Sequence, residues 1–327
     1  MECKNNLSVP YTLSEYDDIY FIYKPPFWNC ITSTAYTNIK KMQKNQKPGE
    51  EIHKNFENLI LDWIKDNLKV DDEIHNEFYR YGLVNRIDLE TSGILMVAKN
   101  KEAFLKYRQQ INDHIKTTKI YITLVAGQIK ERSGVIKIPL LKIQRAKDSI
   151  TVVNEKRGKP TYTEFIKLRE YIHEGKIYTL LLIKIKTGIT HQIRVHMTTK
   201  NTHIVCDNKY EPKKTLSQSC KFAPRLFLHS YFYEVSPNIN GTACLAADLQ
   251  QTLRKLKLVK QYKTFKKALA LLKENKMVDI SKTTEATSLN TALLGHKKSI
   301  TSSNKNKKSK KTRKARLSDT EPIDNDY

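Results

Sequence analysis

Long apolar runs are missing from this 327-residue chain. No uninterrupted stretch approaches the ~20 residues that a membrane span requires. The opening residues Met1-Glu2-Cys3-Lys4-Asn5 lack a basic region followed by an apolar one, which argues against a signal peptide. Cysteine is sparse: the five residues Cys3, Cys30, Cys206, Cys220 and Cys244 are odd in number and scattered, unlike a secreted disulfide framework. The expectation is an intracellular protein of the cytoplasm or the nucleus or nucleolus, with the mitochondrion left open. Phosphate-binding signatures are absent as well. There is no Gly-x-x-x-x-Gly-Lys-Ser/Thr, no Gly-x-Gly-x-x-Gly and no Gly-x-Ser-x-Gly elbow, which disfavours a nucleotide-fuelled or cofactor-dependent enzyme. The zinc deaminase pattern of His-x-Glu followed by Pro-Cys-x-x-Cys is missing too.

Glycine and proline are scarce at 10 each, and of 58 basic residues only 12 are arginine. The excess of lysine, with plentiful Asn and Ile, has the look of a compositional drift that adds charge without a function. The net charge is nevertheless +24, and a basic surface binds polyanions by counterion release whatever its origin. The apolar fraction of 39% is below the usual ~45–50% but too high for a wholly disordered chain. The length suits one large domain or two ordinary ones.

Residues 297–316 hold ten basic residues and no acidic one, interleaved with Ser, Thr and Asn. Such a stretch cannot bury enough apolar area against its ordering entropy, so the division expected is a folded body, 1–276, and a disordered lysine-rich tail, 277–327. The tail reads as a nuclear or nucleolar address, an RNA-grasping arm, or a solvated segment with no specific use. It carries 11 basic and 6 acidic residues, which leaves +19 on the body.

Within the body, residues 19–23 form a short apolar strand closed by Lys24-Pro25-Pro26. Phe56, Leu59, Ile60, Trp63 and Ile64 recur with helical spacing. Residues 94–98 read as a buried strand, followed by a helix marked by Phe104, Tyr107, Ile111 and Ile115. Residues 121–125, 161–166 and 179–186 read as strands, the last with Lys184 and Lys186 alternating against Ile183 and Ile185. A short helix is expected over 191–199 with Thr190 as its N-cap, and a long basic helix or helix pair over 249–276. Strands and helices without regular alternation predict an α+β domain with a mostly antiparallel sheet, and no internal repeat is visible.

Two clusters are suited to chemistry. In Arg86-Ile87-Asp88-Leu89-Glu90-Thr91-Ser92-Gly93 a carboxylate sits between apolar residues at the entrance to a strand, where it needs a cationic partner or its pKa rises. The bland alternative is an Asx motif in which Asp88 caps the Thr91-Ser92-Gly93 turn. In Thr187-Gly188-Ile189-Thr190-His191-Gln192-Ile193-Arg194-Val195-His196 the spacing puts His191 and Arg194 on one polar face, with Ile193 and Met197 packing inward. The free N–H groups at such a helix start also favour a phosphate. Arg194 is then a candidate partner for a buried carboxylate, or an ordinary surface arginine. His191 and His196 lack the His-Glu-x-x-His spacing, and His203-Ile204-Val205-Cys206 has no second pair, so no metal site is expected.

Taken together, six ordered blocks closely resemble the signatures of the RluA-type RNA pseudouridine synthases. They are Tyr20-Phe21-Ile22-Tyr23-Lys24-Pro25-Pro26; the Arg86-Ile87-Asp88-x-x-Thr91-Ser92-Gly93 run continuing to Lys99; Lys119-Ile120-Tyr121 followed by Gly127; Gly188-x-Thr190-His191-Gln192-Ile193-Arg194-Val195-His196; Asp207-x-x-Tyr210; and Arg225-Leu226-x-Leu228-His229-Ser230. The resemblance spans roughly residues 18–237 and implies the pseudouridine synthase catalytic fold, a mixed and mostly antiparallel sheet flanked by helices. Members isomerise uridine in RNA to pseudouridine without cofactor or metal.

Carried over by motif, Asp88 is the essential carboxylate, as nucleophile or as base. Arg194 pairs with it, and Tyr121 stacks beneath the uracil. Arg86 fills the gap left by the flipped uridine, and Thr91, Lys119, His191 and Gln192 join it as RNA-binding residues. The partner implied is ribosomal or transfer RNA, with no membrane, no obligatory protein partner and a monomeric state. About seventeen residues precede the first block, too few for the small N-terminal RNA-binding domain of some relatives. The chain departs from the family pattern at Asn85 (usually His), Ile189 (usually Arg) and Cys206 (usually Gly). The competing reading is a catalytically silent RNA-binding protein that acts in RNA folding or ribosome assembly.

Overall fold

The runs Ile-Tyr-Phe-Ile-Tyr and Ile-Leu-Met-Val-Ala have no polar residue to mark an outer face, which is the mark of strands covered on both sides. In the computed structural model, which describes residues 8–31, 58–113, 117–145 and 149–274, they become β2 (Ile19–Lys24) and β3 (Ser92–Ala98), paired antiparallel with Ile22 opposite Leu95. Alternation sorts their side chains onto two faces. Tyr20, Ile22, Leu95 and Val97 pack with Ile60, Leu61 and Ile64 of helix α1 (Ile60–Asn67). Ile19, Phe21, Tyr23, Ile94, Met96 and Ala98 pack with Phe104 and Tyr107 of α2 (Lys101–Asn112), whose start is capped by the Asn100 side chain accepting from the Ala103 N–H. Both faces are therefore dry, and the loop between residues 84 and 91 is held against a rigid pair of strands.

The main sheet runs β1 (Tyr11–Glu15), β2, β3, β11 (Leu228–Ser236), β4 (Thr118–Ala126), β9 (Lys176–Ile185), β8 (Thr163–His173) and β13 (Lys257–Gln261). Three short strands pair at its sides: β5 (Ser133–Ile136) on β8, β10 (His203–Ile204) on β4 and β12 (Ile239–Thr242) on β11. A separate two-stranded sheet joins β6 (Leu140–Gln144) to β7 (Ser149–Val153). Among the described strands the pairing is antiparallel except between β3 and β11, which run parallel with Ser230 beside Gly93. Gly93 has φ 119°, and a Cβ there would lie 2.1 Å from the Ser230 carbonyl oxygen, so only glycine lets these strands meet. The sheet is thus mixed and mostly antiparallel with helices packed on it, the α+β class expected.

Four local expectations change. The short helix is α3 (Gln192–Thr198), and its N-cap is His191 in the left-handed conformation, with φ 56° and no side-chain cap, rather than Thr190. The Thr190 carbonyl accepts from the Thr151 hydroxyl. Of the two readings of 249–276 the helix pair holds, as α5 (Ala247–Arg254) and α6 (Phe265–Lys273), but an unanticipated strand, β13, lies between them and pairs with the edge of β8. Lys184, expected to alternate outward, is buried and donates to the Leu272 carbonyl near the end of α6. A helix not anticipated, α4 (Lys213–Phe222), precedes β11. Phe56, Ile115 and the entire segment 277–327, with its readings as address or arm, lie outside the described residues. No helix among the described residues is long and apolar enough to cross a membrane.

Candidate active site

The segment from Arg86 to Thr91 crosses the lip of a cleft of about 300 Å³ before entering β3. Opposite it stand Tyr121 from β4, the 188–191 turn after β9, and Arg194 from α3. The turn after Asp88 is closed by main chain, the Thr91 N–H donating to the Asp88 carbonyl at 3.1 Å. The Asp88 carboxylate is therefore not used up as an Asx cap. Its Oδ2 accepts from Arg194 NH1 at 3.1 Å and lies 4.0 Å from His191 Nε2. His191, just before the helix rather than on its face, and Arg194, in its first turn, both reach Asp88.

Arg194 is almost wholly buried and is held from behind by Asp207. Its Nε donates to Asp207 Oδ2 at 2.9 Å and its NH2 to Oδ1 at 2.6 Å. The Asp207 Oδ1 also accepts the N–H groups of Lys209 and Tyr210, which fixes the turn after β10. The guanidinium lies 5.2 Å from the centre of the Tyr210 ring. Two carboxylates thus share one arginine, and they differ in access. Asp207 has no exposure, whereas the Asp88 side chain is 26% exposed, towards the cleft. Only Asp88 can meet a ligand.

Burial pushes the Asp88 carboxyl up, but His191, Arg194 and Lys24 together outweigh it and hold it below its ordinary value. His191 is itself pushed down to about 4, chiefly by burial. At neutral pH its ring is uncharged, so the guanidinium and the Lys24 ammonium keep Asp88 ionised. Tyr210 orients the imidazole: its hydroxyl accepts from the Thr151 N–H at 2.8 Å and lies 2.8 Å from His191 Nδ1. The phenol, held in place by the Thr151 N–H, thus fixes the ring through Nδ1 and turns Nε2 towards Asp88.

Lys24 is fully buried, and its ammonium donates to the carbonyls of Pro25, Trp28 and Leu89. Burial pushes it down to about 8, so it is mostly charged at neutral pH. It ties the 25–28 turn to the loop carrying Asp88, and the Phe27 N–H donates to the same Leu89 carbonyl. On the far side of that loop Arg225, also buried, makes two bonds to Asp248, one to the Glu90 carbonyl and one to the Ser92 hydroxyl. The Ser92 hydroxyl reaches His229 Nδ1 at 2.9 Å, and His229 Nε2 reaches the Ala243 carbonyl. This Ser-His pair has no exposure and is structural.

The remaining sequence candidates fall into distinct places. Tyr121 lines the cleft on β4 between Ser230 and Ile183, and burial pushes its phenol up to about 12. Thr91 is buried at the cleft wall, and its hydroxyl has no hydrogen-bond partner among the described residues. Arg86 is exposed at the rim. Lys119 is buried two residues before Tyr121, pushed down to about 8 by burial, with Nζ 5.8 Å from the Tyr233 ring. Gln192 is buried with all four of its hydrogen-bonding positions occupied inside the protein, by Thr187, Ile189, Tyr162 and Thr163. It shapes the 187–191 turn. Among the described residues no group of three or more His, Cys, Asp or Glu could hold a metal ion.

Two of the three departures, Asn85 and Cys206, have local explanations. Asn85 accepts the Met96 N–H at 2.8 Å and so ties the approach of the loop to β3. Cys206 has φ 61°, the left-handed region that favours glycine, which is the residue usual there. Ile189 lines the cleft and brings no charge to it. Sequence reasoning assigned no role to Lys24, Asp207, Tyr210 or Arg225. The signal was their position inside the quoted blocks, but nothing local showed what each would touch.

Comparison with known proteins agrees with this geometry. The family model described as RNA pseudouridylate synthase matches residues 18–199, which include Asp88, Tyr121 and Arg194. Ribosomal large subunit pseudouridine synthase C of Pasteurella multocida is 35% identical over 177 residues, 53% of this chain and 52% of the relative. Ribosomal large subunit pseudouridine synthase D of Borreliella burgdorferi is 38% identical over 186 residues, 56% of this chain and 52% of the relative. The chain spans about half the length of the curated relatives it matches. The solved structure of human RNA Pseudouridylate Synthase Domain Containing 1 superposes with a TM-score of 0.57 at 18% identity, over 84% of this chain and 98% of that one, which shows a shared fold. With its family model matched over more than half its length, the chain belongs to the RNA pseudouridylate synthase family.

Proposed function

We propose that this chain isomerises uridine to pseudouridine in RNA, with Asp88 as the essential carboxylate. The observation that carries the reading is the Asp88–Arg194–Asp207 arrangement beside the cleft. It keeps one carboxylate ionised, fixed in direction and accessible while its partner charges are buried. Glycoside bond cleavage at C1′ calls for such a group, whether it attacks carbon as a nucleophile or removes a proton as a base.

The overall change is an isomerisation: the N1–C1′ bond breaks, a C5–C1′ bond forms, the C5 proton is lost and N1 gains one. No electrons are exchanged with a second substrate, so the reaction needs neither redox cofactor nor nucleotide. Tyr121, protonated throughout the neutral range, supports the ring face of the base from β4. Thr91 offers a free hydroxyl at the wall, and Ile87, Leu89 and Ile185 supply apolar lining for the extruded base. Arg86 at the rim helps fill the gap left by the flipped uridine, and the charge of the body holds the RNA backbone, a largely sequence-independent term. Lys119, His191 and Gln192 act by shaping the site. The names of the relatives point to RNA of the large ribosomal subunit as the first substrate to try, with transfer RNA second.

The test is to incubate the full-length protein with ribosomal and transfer RNA transcripts, digest with nuclease and quantify pseudouridine by mass spectrometry. Product that disappears in Asp88→Asn supports the reading. RNA binding with no product from any pool favours the catalytically silent RNA-binding protein instead.

A further inference from the structure

Cys206 and Cys220 have their Sγ atoms 2.6 Å apart, although fourteen residues separate them. Cys206 is buried at the start of the turn that carries Asp207, and Cys220 is exposed near the end of α4. One carboxylate brings the two segments together. Glu211 accepts the Ser219 hydroxyl on Oε1 at 2.5 Å and the Asp207 N–H on Oε2 at 3.3 Å. The residues beside both cysteines are therefore tied to the same side chain. Neither thiol is needed for the chemistry at Asp88, and no third ligand makes the pair a metal site among the described residues.

We propose that Cys206 and Cys220 are a modification site, joined by a reversible disulfide when the protein meets hydrogen peroxide. The sulfur atoms need to approach by only about 0.5 Å to reach the bonded distance of ~2.05 Å, so no element has to unfold. The division of labour follows from access. The exposed Cys220 thiolate attacks a peroxide oxygen, giving the sulfenic acid and, with a proton, one water. The Cys206 sulfur then attacks Cys220 Sγ, loses its proton and expels the second water. Two thiols and one peroxide become one disulfide and two waters. Burial chiefly, and next the neighbouring Cys220 sulfur, raise the Cys206 thiol, which leaves the first attack on peroxide to Cys220. Closure pins the Val205–Tyr210 turn to α4 and so fixes the main chain around Asp207.

The test is to treat the folded full-length protein with one equivalent of hydrogen peroxide, block free thiols with an alkylating agent and map the peptides. The expected result is a peptide pair joined through Cys206 and Cys220, lost on adding dithiothreitol and absent from both Cys220→Ser and Cys206→Gly. Glycine suits the φ of 61° at position 206, so the second variant separates loss of the thiol from loss of the fold. Alkylation of both cysteines after oxidation, over-oxidation of Cys220 to sulfinic acid without a cross-link, or pairing of Cys220 with another cysteine would each overturn the proposal. The peptide readout does not depend on catalysis, so its failure is distinct from failure of the proposed activity.

Discussion

Asp207 grips Arg194 through two hydrogen bonds, at 2.9 and 2.6 Å, and leaves only NH1 of the guanidinium free to reach Asp88 at 3.1 Å. The fully buried acid acts as an anchor, and the partly accessible acid is the one presented to the cleft. Such a buried triad is not cheap to build. Its geometry is kept because the turn after β10 also gives Asp207 two main-chain donors.

Asp207→Asn is the first prediction. Removing one charge from the triad leaves Arg194 buried with a single anionic partner that is itself partly solvated. The fold should lose about 3 kcal/mol, and pseudouridine formation should fall about 10²-fold through misplacement of Asp88. Parallel measurement of melting temperature and kcat/KM separates the two effects. A destabilised variant with wild-type kcat/KM would limit Asp207 to folding.

Stability should decline in mild acid, and the histidines set the window. His191 and His229 are both pushed down to about 4, mainly by burial, from an ordinary value near 6.5. Because their folded-state values are depressed, their neutral forms favour the folded state fully above pH ~6.5, and that contribution is lost as pH falls towards 4. Asp88, also depressed, keeps its contribution above its ordinary value and loses it only at lower pH. Urea midpoints measured from pH 7 to 4 should hold nearly level down to about 6.5 and then drop. For His229→Asn the drop should be shallower.

Gly93→Ala should damage the fold more than most glycine substitutions. The new methyl would lie 2.1 Å from the Ser230 carbonyl oxygen, at a φ of 119° that side chains rarely adopt. Separating β3 from β11 breaks the parallel contact beneath Asp88, and a loss of at least 3 kcal/mol in a denaturant titration is expected. Gly175 is the control. Its φ is also positive, but a Cβ there meets nothing within 4 Å, so alanine should cost only about 1 kcal/mol.

Much of this was legible in the residues. The central strands β2 and β3 could be read because both faces are buried and their apolar runs are unbroken. That His191 and Arg194 lie together could be read because only two residues separate them, but the left-handed backbone at His191, which ends the helix before it, could not. Asp207 could not be assigned a role, since its partner lies across a turn and the pairing is made by the fold. Strand β13 was hidden for a related reason: Lys257–Gln261 is exposed throughout on an edge, so it shows no alternation, and its lysines resemble a helical surface. Lys184 misled in the opposite sense. A lysine in an alternating strand implies solvent, but α6 covers that face and takes the ammonium on its last turn. The Asx reading of Asp88 was open until the Thr91 N–H was found on the Asp88 carbonyl rather than its carboxylate.

The central claim is that Asp88 does the chemistry while Arg194 and Asp207 hold it. It is tested most directly by quantifying pseudouridine in ribosomal RNA treated with wild-type protein and with Asp88→Asn, with RNA binding and melting temperature measured on the same samples. The account predicts product from the wild type and none from the variant, which should still fold and bind RNA. Product from Asp88→Asn at the wild-type rate would contradict it.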